Sequence, residues 1–174
     1  SYFKRSYEDF NVKNDPNGAF MAWSGMVDAI AFEFEDLKRL DEWIKELDDR
    51  MDEYTKLTSE EINARVAVSM FFAMFVRKPQ HPELEKWAEK ALSVTQKELD
   101  ENLKALSLFN LSHHRMMNGE MDIARSILYE LNQLADAATA SPLTKIKAKF
   151  AATAYYQGTG SDKVCLEARE AGWK

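Results

Sequence analysis

His113 and His114 are the only adjacent imidazoles in the chain, so the first chemistry to test is metal binding. Successive helical residues point about 100° apart, so the two rings cannot easily close on one ion. No His-Glu-x-x-His, Glu-x-x-His or cysteine pair supplies another ligand set, and neither a metal nor a cofactor is expected. Gly158-Thr159-Gly160 is better read as a turn than as a phosphate-cradling loop. Cys165 is the sole cysteine; on an apolar helix face it reads as a core residue rather than a nucleophile. It excludes a disulfide within the chain, and a reducing cytoplasm is the expected compartment. Asp28 and Arg65 are lone charges on otherwise apolar segments. Partial exposure or mutual pairing would satisfy them, and the competing reading is a polar anchor in a pocket. No catalytic constellation emerges, and the chain is not expected to be an enzyme.

The elements that must carry these residues are helical. Of 174 residues, 45% are hydrophobic and 30% charged, which suits a globular fold with a real core. The net charge of −6, without a basic block, argues against nucleic-acid contact by this segment. The longest apolar run, VAVSMFFAMFV at 66–76, is too short for a bilayer, so no membrane contact is expected. Breaks fall at Asp15-Pro16-Asn17-Gly18, Lys78-Pro79-Gln80-His81-Pro82, Asn118-Gly119, Ser141-Pro142 and Gly158-Thr159-Gly160. Thr58-Ser59-Glu60-Glu61 reads as a capping box, and Ser141-Pro142 as an N-cap with proline at the first helical position. Between these points apolar residues recur at three- and four-residue steps. The pattern predicts helices over 17–33, 37–54, 59–77, 82–97, 101–118, 121–137, 142–157 and 162–172, with a short one near 3–13. No segment alternates as a strand would, and the expected fold is all-α.

The helices pair, and the pairs repeat. Leu40 with Trp43, Leu84 with Trp87, Ala124 with Ile127 and Cys165 with Ala168 occupy matching positions, at steps of 44, 40 and 41 residues. First helices such as GAFMAWSGMVDAIAF and INARVAVSMFFAMFV carry almost no charge, whereas second helices such as DLKRLDEWIKELDDRMDEY are amphipathic. That asymmetry suits a stack of hairpins with first helices inside, not a bundle in which every helix is half exposed. Ala22, Gly25, Ala29, Ala64, Ala67, Ala148, Ala151 and Ala152 allow inner helices to approach closely. One domain spanning 1–174 is expected, with repeats near 17–57, 58–99, 100–140 and 141–174. Trp43 and Trp87 should be buried between inner and outer helices.

SLFNLSHHRMMNGEMDIARSIL resembles a tetratricopeptide repeat: Leu108, Leu111 and Ser112 fill its inner positions, Gly119-Glu120 its inter-helix turn and Ala124 its small position. Arg115 stands where an aromatic is usual, and no proline ends the copy. GAFMAWSGMVDAIAFEFEDLKRLDEWIKEL and RVAVSMFFAMFVRKPQHPELEKWAEKAL are similar to the helical-repeat region of large bacterial signal-transduction ATPases. These are the maltose-activator-type transcriptional regulators, whose repeat domain binds an inducer. The resemblance implies a right-handed superhelical stack of about four hairpins, belonging to a longer regulator.

In tetratricopeptide register, the groove-facing positions would be Leu106, Phe109, His113, Met116 and Met117 in the third repeat. In the fourth they would be Lys145, Ala148, Ala152, Tyr155 and Tyr156. Phe109, His113, Met116, Met117, Tyr155 and Tyr156 make the candidate binding patch, rich in apolar bodies with few polar handles. The competing reading is that half of them pack against neighbouring helices. The expected function is a non-catalytic binding and regulatory module. Its partner would be another domain of the same chain, a peptide segment or a small inducer. A structural domain that self-associates into a homo-oligomer is the alternative.

Overall fold

Helices occupy nearly every stretch where the apolar periodicity places them in the computed structural model, which describes residues 2–33, 35–97 and 100–160. In order they are α1 (Tyr2–Val12), α2 (Pro16–Glu33), a 3-10 turn (Leu37–Arg39), α3 (Leu40–Asp49), α4 (Met51–Tyr54), α5 (Glu60–Arg77), α6 (Leu84–Thr95), α7 (Glu101–Met117), α8 (Met121–Asp136) and α9 (Pro142–Gly158). No strand occurs among the described residues, so the fold is all-α. The predicted helix at 162–172, with Cys165 and Ala168, lies outside the described residues. Among those described, no helix is long and apolar enough to cross a membrane. The chain divides into two compact units, with the break between Ala91 and Leu92 inside α6.

In the first unit α2 and α5 form the interior. Phe20, Trp23, Val27 and Ile30 of α2 and Val66, Met70, Phe71 and Met74 of α5 are fully enclosed. Low charge dictates this, because only a helix apolar on most sides gains from being covered on most sides. The amphipathic α3 buries one face, Leu40, Trp43, Ile44 and Leu47, against them. The Trp23 indole N–H donates to the Trp43 carbonyl at 2.9 Å, giving a buried polar group its partner. Both Trp43 and Trp87 are buried, as expected from the sequence. Ser59 caps α5 by accepting from the Ile62 N–H; the expected capping box is a plain serine cap because its third helical residue is Ile62, not a glutamate.

One sequence expectation changes here, and one break shifts. Helix 37–54 is interrupted: Arg50 leaves helical geometry at φ −116 and ψ 19, separating α3 from α4. The break expected at residues 15–18 falls before Gly18, which lies inside α2 as the expected helix over 17–33 has it. The turn is one step earlier, where Asn14 takes φ 54 and the Asp15 N–H reaches the Phe10 carbonyl at 2.9 Å. Asp15 then caps α2 through the Gly18 N–H at 3.0 Å. α1 folds back along α2, and a Cβ placed on Gly18 would lie 2.3 Å from the Phe10 ring. One placed on Gly25 would lie 2.5 Å from the Phe3 ring. The two glycines are notches for two phenylalanines.

In the second unit α7 leads into α8 through a left-handed Gly119 at φ 77. The Glu120 N–H returns to the Arg115 carbonyl and the Gly119 N–H to that of Met116, so the last carbonyls of α7 are satisfied. α8 buries Ala124, Ile127, Leu128 and Leu131 on one face. Ser141 caps α9 with Pro142 at its first turn, and its hydroxyl donates to Asn102 at the start of α7 at 2.6 Å. First helices therefore meet at a constant offset: the α2–α5 bond Ser69–Asp28 joins residues 41 apart, and the α7–α9 bonds at Asn102 join residues 39 and 42 apart. α9 differs from the other first helices. It buries only Thr144, Ala148, Ala151 and Ala152.

Candidate functional site

The predicted patch separates into two places. Phe109 and His113, one turn apart on α7, meet Phe150 of α9 across the helix boundary. The His113 ring lies 4.4 Å from that of Phe109 and 5.8 Å from that of Phe150. The Lys147 ammonium sits 4.7 Å from the Phe109 centroid, within cation–π range. Tyr155 and Tyr156 follow Phe150 by five and six residues, which turns them roughly 140° and 240° around α9. They pack edge-on against each other at 5.5 Å. There they line a cavity of about 460 Å³ with Arg125, Tyr129 and Asn132 of α8. Met116 is half-buried, Met117 is 75% exposed, Leu106 is half-buried and Lys145 exposed, while Ala148 and Ala152 belong to the core.

His113 is fixed in one form. Its Nδ1–H donates to the Phe109 carbonyl at 2.9 Å, because a carbonyl only accepts. Nε2 is buried and has no hydrogen-bond partner among the described residues. Burial lowers its pKa, the Phe109 carbonyl opposes that shift, and the Lys147 charge adds to it. The folded state therefore favours the neutral ring, while the unfolded chain takes up the proton around the ordinary value of 6.5. Stability is fully present above that pH and is lost as pH falls towards the lowered folded value. Melting temperature should fall more for the wild-type chain than for His113→Phe between about pH 7 and about pH 5. Equal falls would exclude His113 as the source.

Arg50, which no sequence motif marks, organises a polar cluster. Its side chain is 16% exposed. One terminal nitrogen donates to the Tyr7 hydroxyl at 2.6 Å and to Asn11 at 2.8 Å. Its other donors hold Glu53, at 2.6 Å for the closer contact, and the guanidinium lies 5.0 Å from the Phe20 centroid. Tyr7 in turn donates to Glu46. Burial, and then that bond, hold the Tyr7 hydroxyl above its ordinary range against the pull of Arg50. The bond from Arg50 holds Glu53 below the usual carboxylate range. A cavity of about 600 Å³ opens beside these groups, lined also by Asn14, Asp15 and Lys56. Since the Arg50 donors already have protein acceptors, the cluster ties α1 to α3 and α4 instead of presenting a bare cation. The lone arginine in DDRMDEY was the signal for it.

The two lone charges on apolar helices, Asp28 and Arg65, also have partners. Asp28 accepts from the Ser69 hydroxyl at 3.0 Å, and Arg65 pairs with Glu61 one turn away at 3.4 Å. His114 is buried, with Nε2 beside the Asn118 amide at 3.3 Å. No three His, Cys, Asp or Glu side chains among the described residues converge on a metal position.

What stands open is the outward face of α9. Leu143, Ile146 and Phe150 are 40%, 64% and 62% exposed, and they recur at helical spacing on one side. Through Phe150 that surface continues onto Phe109 and His113 of α7. A contiguous exposed apolar surface with aromatic rings and a few polar groups can hold a partner by contact area; it contains no nucleophile paired with a base. Compared with known proteins, the chain matches no family model, no curated relative and no solved structure.

Proposed function

We propose that this chain is a non-catalytic helical-repeat module of a regulatory protein, and that it holds a protein segment on the α7–α9 surface. The observation that carries the reading is the open side of α9. Leu143, Ile146 and Phe150 project from a helix whose counterparts α2, α5 and α7 are covered nearly all round. Leaving such groups in water forgoes about 1.5–3 kcal/mol per fully buried side chain, which a bound partner would recover. Within each unit the first helices meet at an offset of about 40 residues, which fits the repeat period read from the sequence. A small inducer is the second reading, favoured by the tyrosine-lined cavity between α8 and α9.

Selection of a random peptide library on the full chain tests this. Selected peptides should bind the wild-type chain and lose affinity at least about tenfold against Ile146→Ser/Phe150→Ser, while the variant melts like the parent. If selected peptides bind both proteins equally, the α7–α9 surface is not the binding site. Peptides lost instead on Tyr155→Ala would transfer the site to the α8–α9 cavity.

A further inference from the structure

We infer that the partner of the α7–α9 surface is an acidic amphipathic protein segment, an inference that rests on the binding reading above. α9 carries Lys145, Lys147 and Lys149 and no acidic residue between Pro142 and Gly158, in a chain whose net charge is −6. Helical geometry sorts the lysines around the apolar strip. Taking Ile146 and Phe150 as its centre, Lys145 and Lys149 fall on one flank and Lys147 on the other. Lys147 is also the one placed over the Phe109 ring, on the α7 side. The strip from Leu143 to Phe150 is therefore bordered by cations on both edges.

The matching partner has apolar residues at a spacing of three and four, with glutamate or aspartate beside them. The strip runs for about two helical turns, so a short amphipathic helix covers it. Charge decides against a second copy and against nucleic acid. A second copy docking face to face through α9 would bring two sets of three lysines together. Nucleic acid would meet apolar groups where it needs contacts to phosphate, on a chain that is acidic overall. An anionic lipid surface would attract the lysines. It would repel the rest of the chain, however, and the apolar surface bends from α9 onto Phe109 and His113 of α7 rather than forming a single insertable ridge.

Two labelled synthetic helices of about four turns test the inference, both with leucine at the apolar positions. One carries glutamate at its polar positions and the other lysine, and binding to the full chain is read by fluorescence anisotropy. The glutamate helix should bind and weaken as salt is raised. Lys145→Glu/Lys147→Glu/Lys149→Glu should weaken it at least about tenfold and reverse the preference towards the lysine helix. Equal binding of the two helices to the wild-type chain would overturn the inference. So would glutamate-helix affinity unchanged by the triple reversal, or capture of the chain by phosphatidylserine vesicles without binding of the glutamate helix. Library peptides that depend on Ile146 and Phe150 but show no acidic bias would sink this inference and leave the binding reading standing. Absence of any binder sensitive to that face would sink both.

Discussion

Trp87→Ala should cost the first unit about 3–5 kcal/mol, the largest effect expected of any single truncation outside the interior of α2 and α5. The indole is 3% exposed. It lies 5.8 Å from the Tyr54 ring, itself buried deeply enough that its hydroxyl is pushed up to about 12. The Lys90 ammonium sits 4.1 Å from the indole centroid and 5.0 Å from that of Tyr54, and burial there lowers the lysine pKa. Truncation removes the wall between a phenol and an ammonium as well as leaving a cavity. Trp87→Phe keeps a ring for both and should lose clearly less. Urea unfolding followed by circular dichroism would measure it. A midpoint unchanged in Trp87→Ala would mean that the matching of Leu84 and Trp87 to Leu40 and Trp43 is not a packing equivalence.

The burial of these positions was legible because it depends on local periodicity. Leu40, Trp43, Leu84, Trp87, Ala124 and Ile127 are all buried, at the steps read along the chain. The departures share one cause: a residue from another helix decides them. The apolar spacing Leu40, Leu47, Met51, Tyr54 continues straight through Arg50. The break there comes with bonds to Tyr7 and Asn11, which are 43 and 39 residues away. Gly18 is helical as the 17–33 pattern has it, but its use as a notch for the Phe10 ring is not legible from local pattern.

The packing of the candidate patch was half legible for the same reason. α9 has two candidate core faces, one of alanines and one of Leu143, Ile146 and Phe150. Size alone would bury the second, but the alanine face is the one enclosed. Close approach to α7 and α8 favours small side chains, which leaves the large ones outside. Repeat register puts Phe109 and His113 on one face but gives no sign of Phe150, which packs on both. Tyr155 and Tyr156 share that register along the repeat, yet they turn towards α8 around the helix.

Gly18→Ala should destabilise the chain by about 1–2 kcal/mol, although alanine is the better helix former by roughly 1 kcal/mol. The added methyl would fall 2.3 Å from Cδ1 and 2.6 Å from Cγ of Phe10. Cγ is the root of the ring, so a rotation of its far edge does not relieve the contact, and α1 must move away from α2. That movement also pulls Tyr7 and Asn11 from Arg50, since Tyr7, Phe10 and Asn11 lie on the same short helix. Without the ring the sign should reverse. In a Phe10→Ala background, Gly18→Ala should stabilise by up to about 1 kcal/mol, because only helix propensity then remains. The four proteins form a double-mutant cycle read by urea unfolding. The coupling should appear as a change of sign, which no general effect of alanine on α2 produces. If Gly18→Ala stabilises both backgrounds equally, Phe10 does not occupy the notch and α1 is not seated on α2 as described.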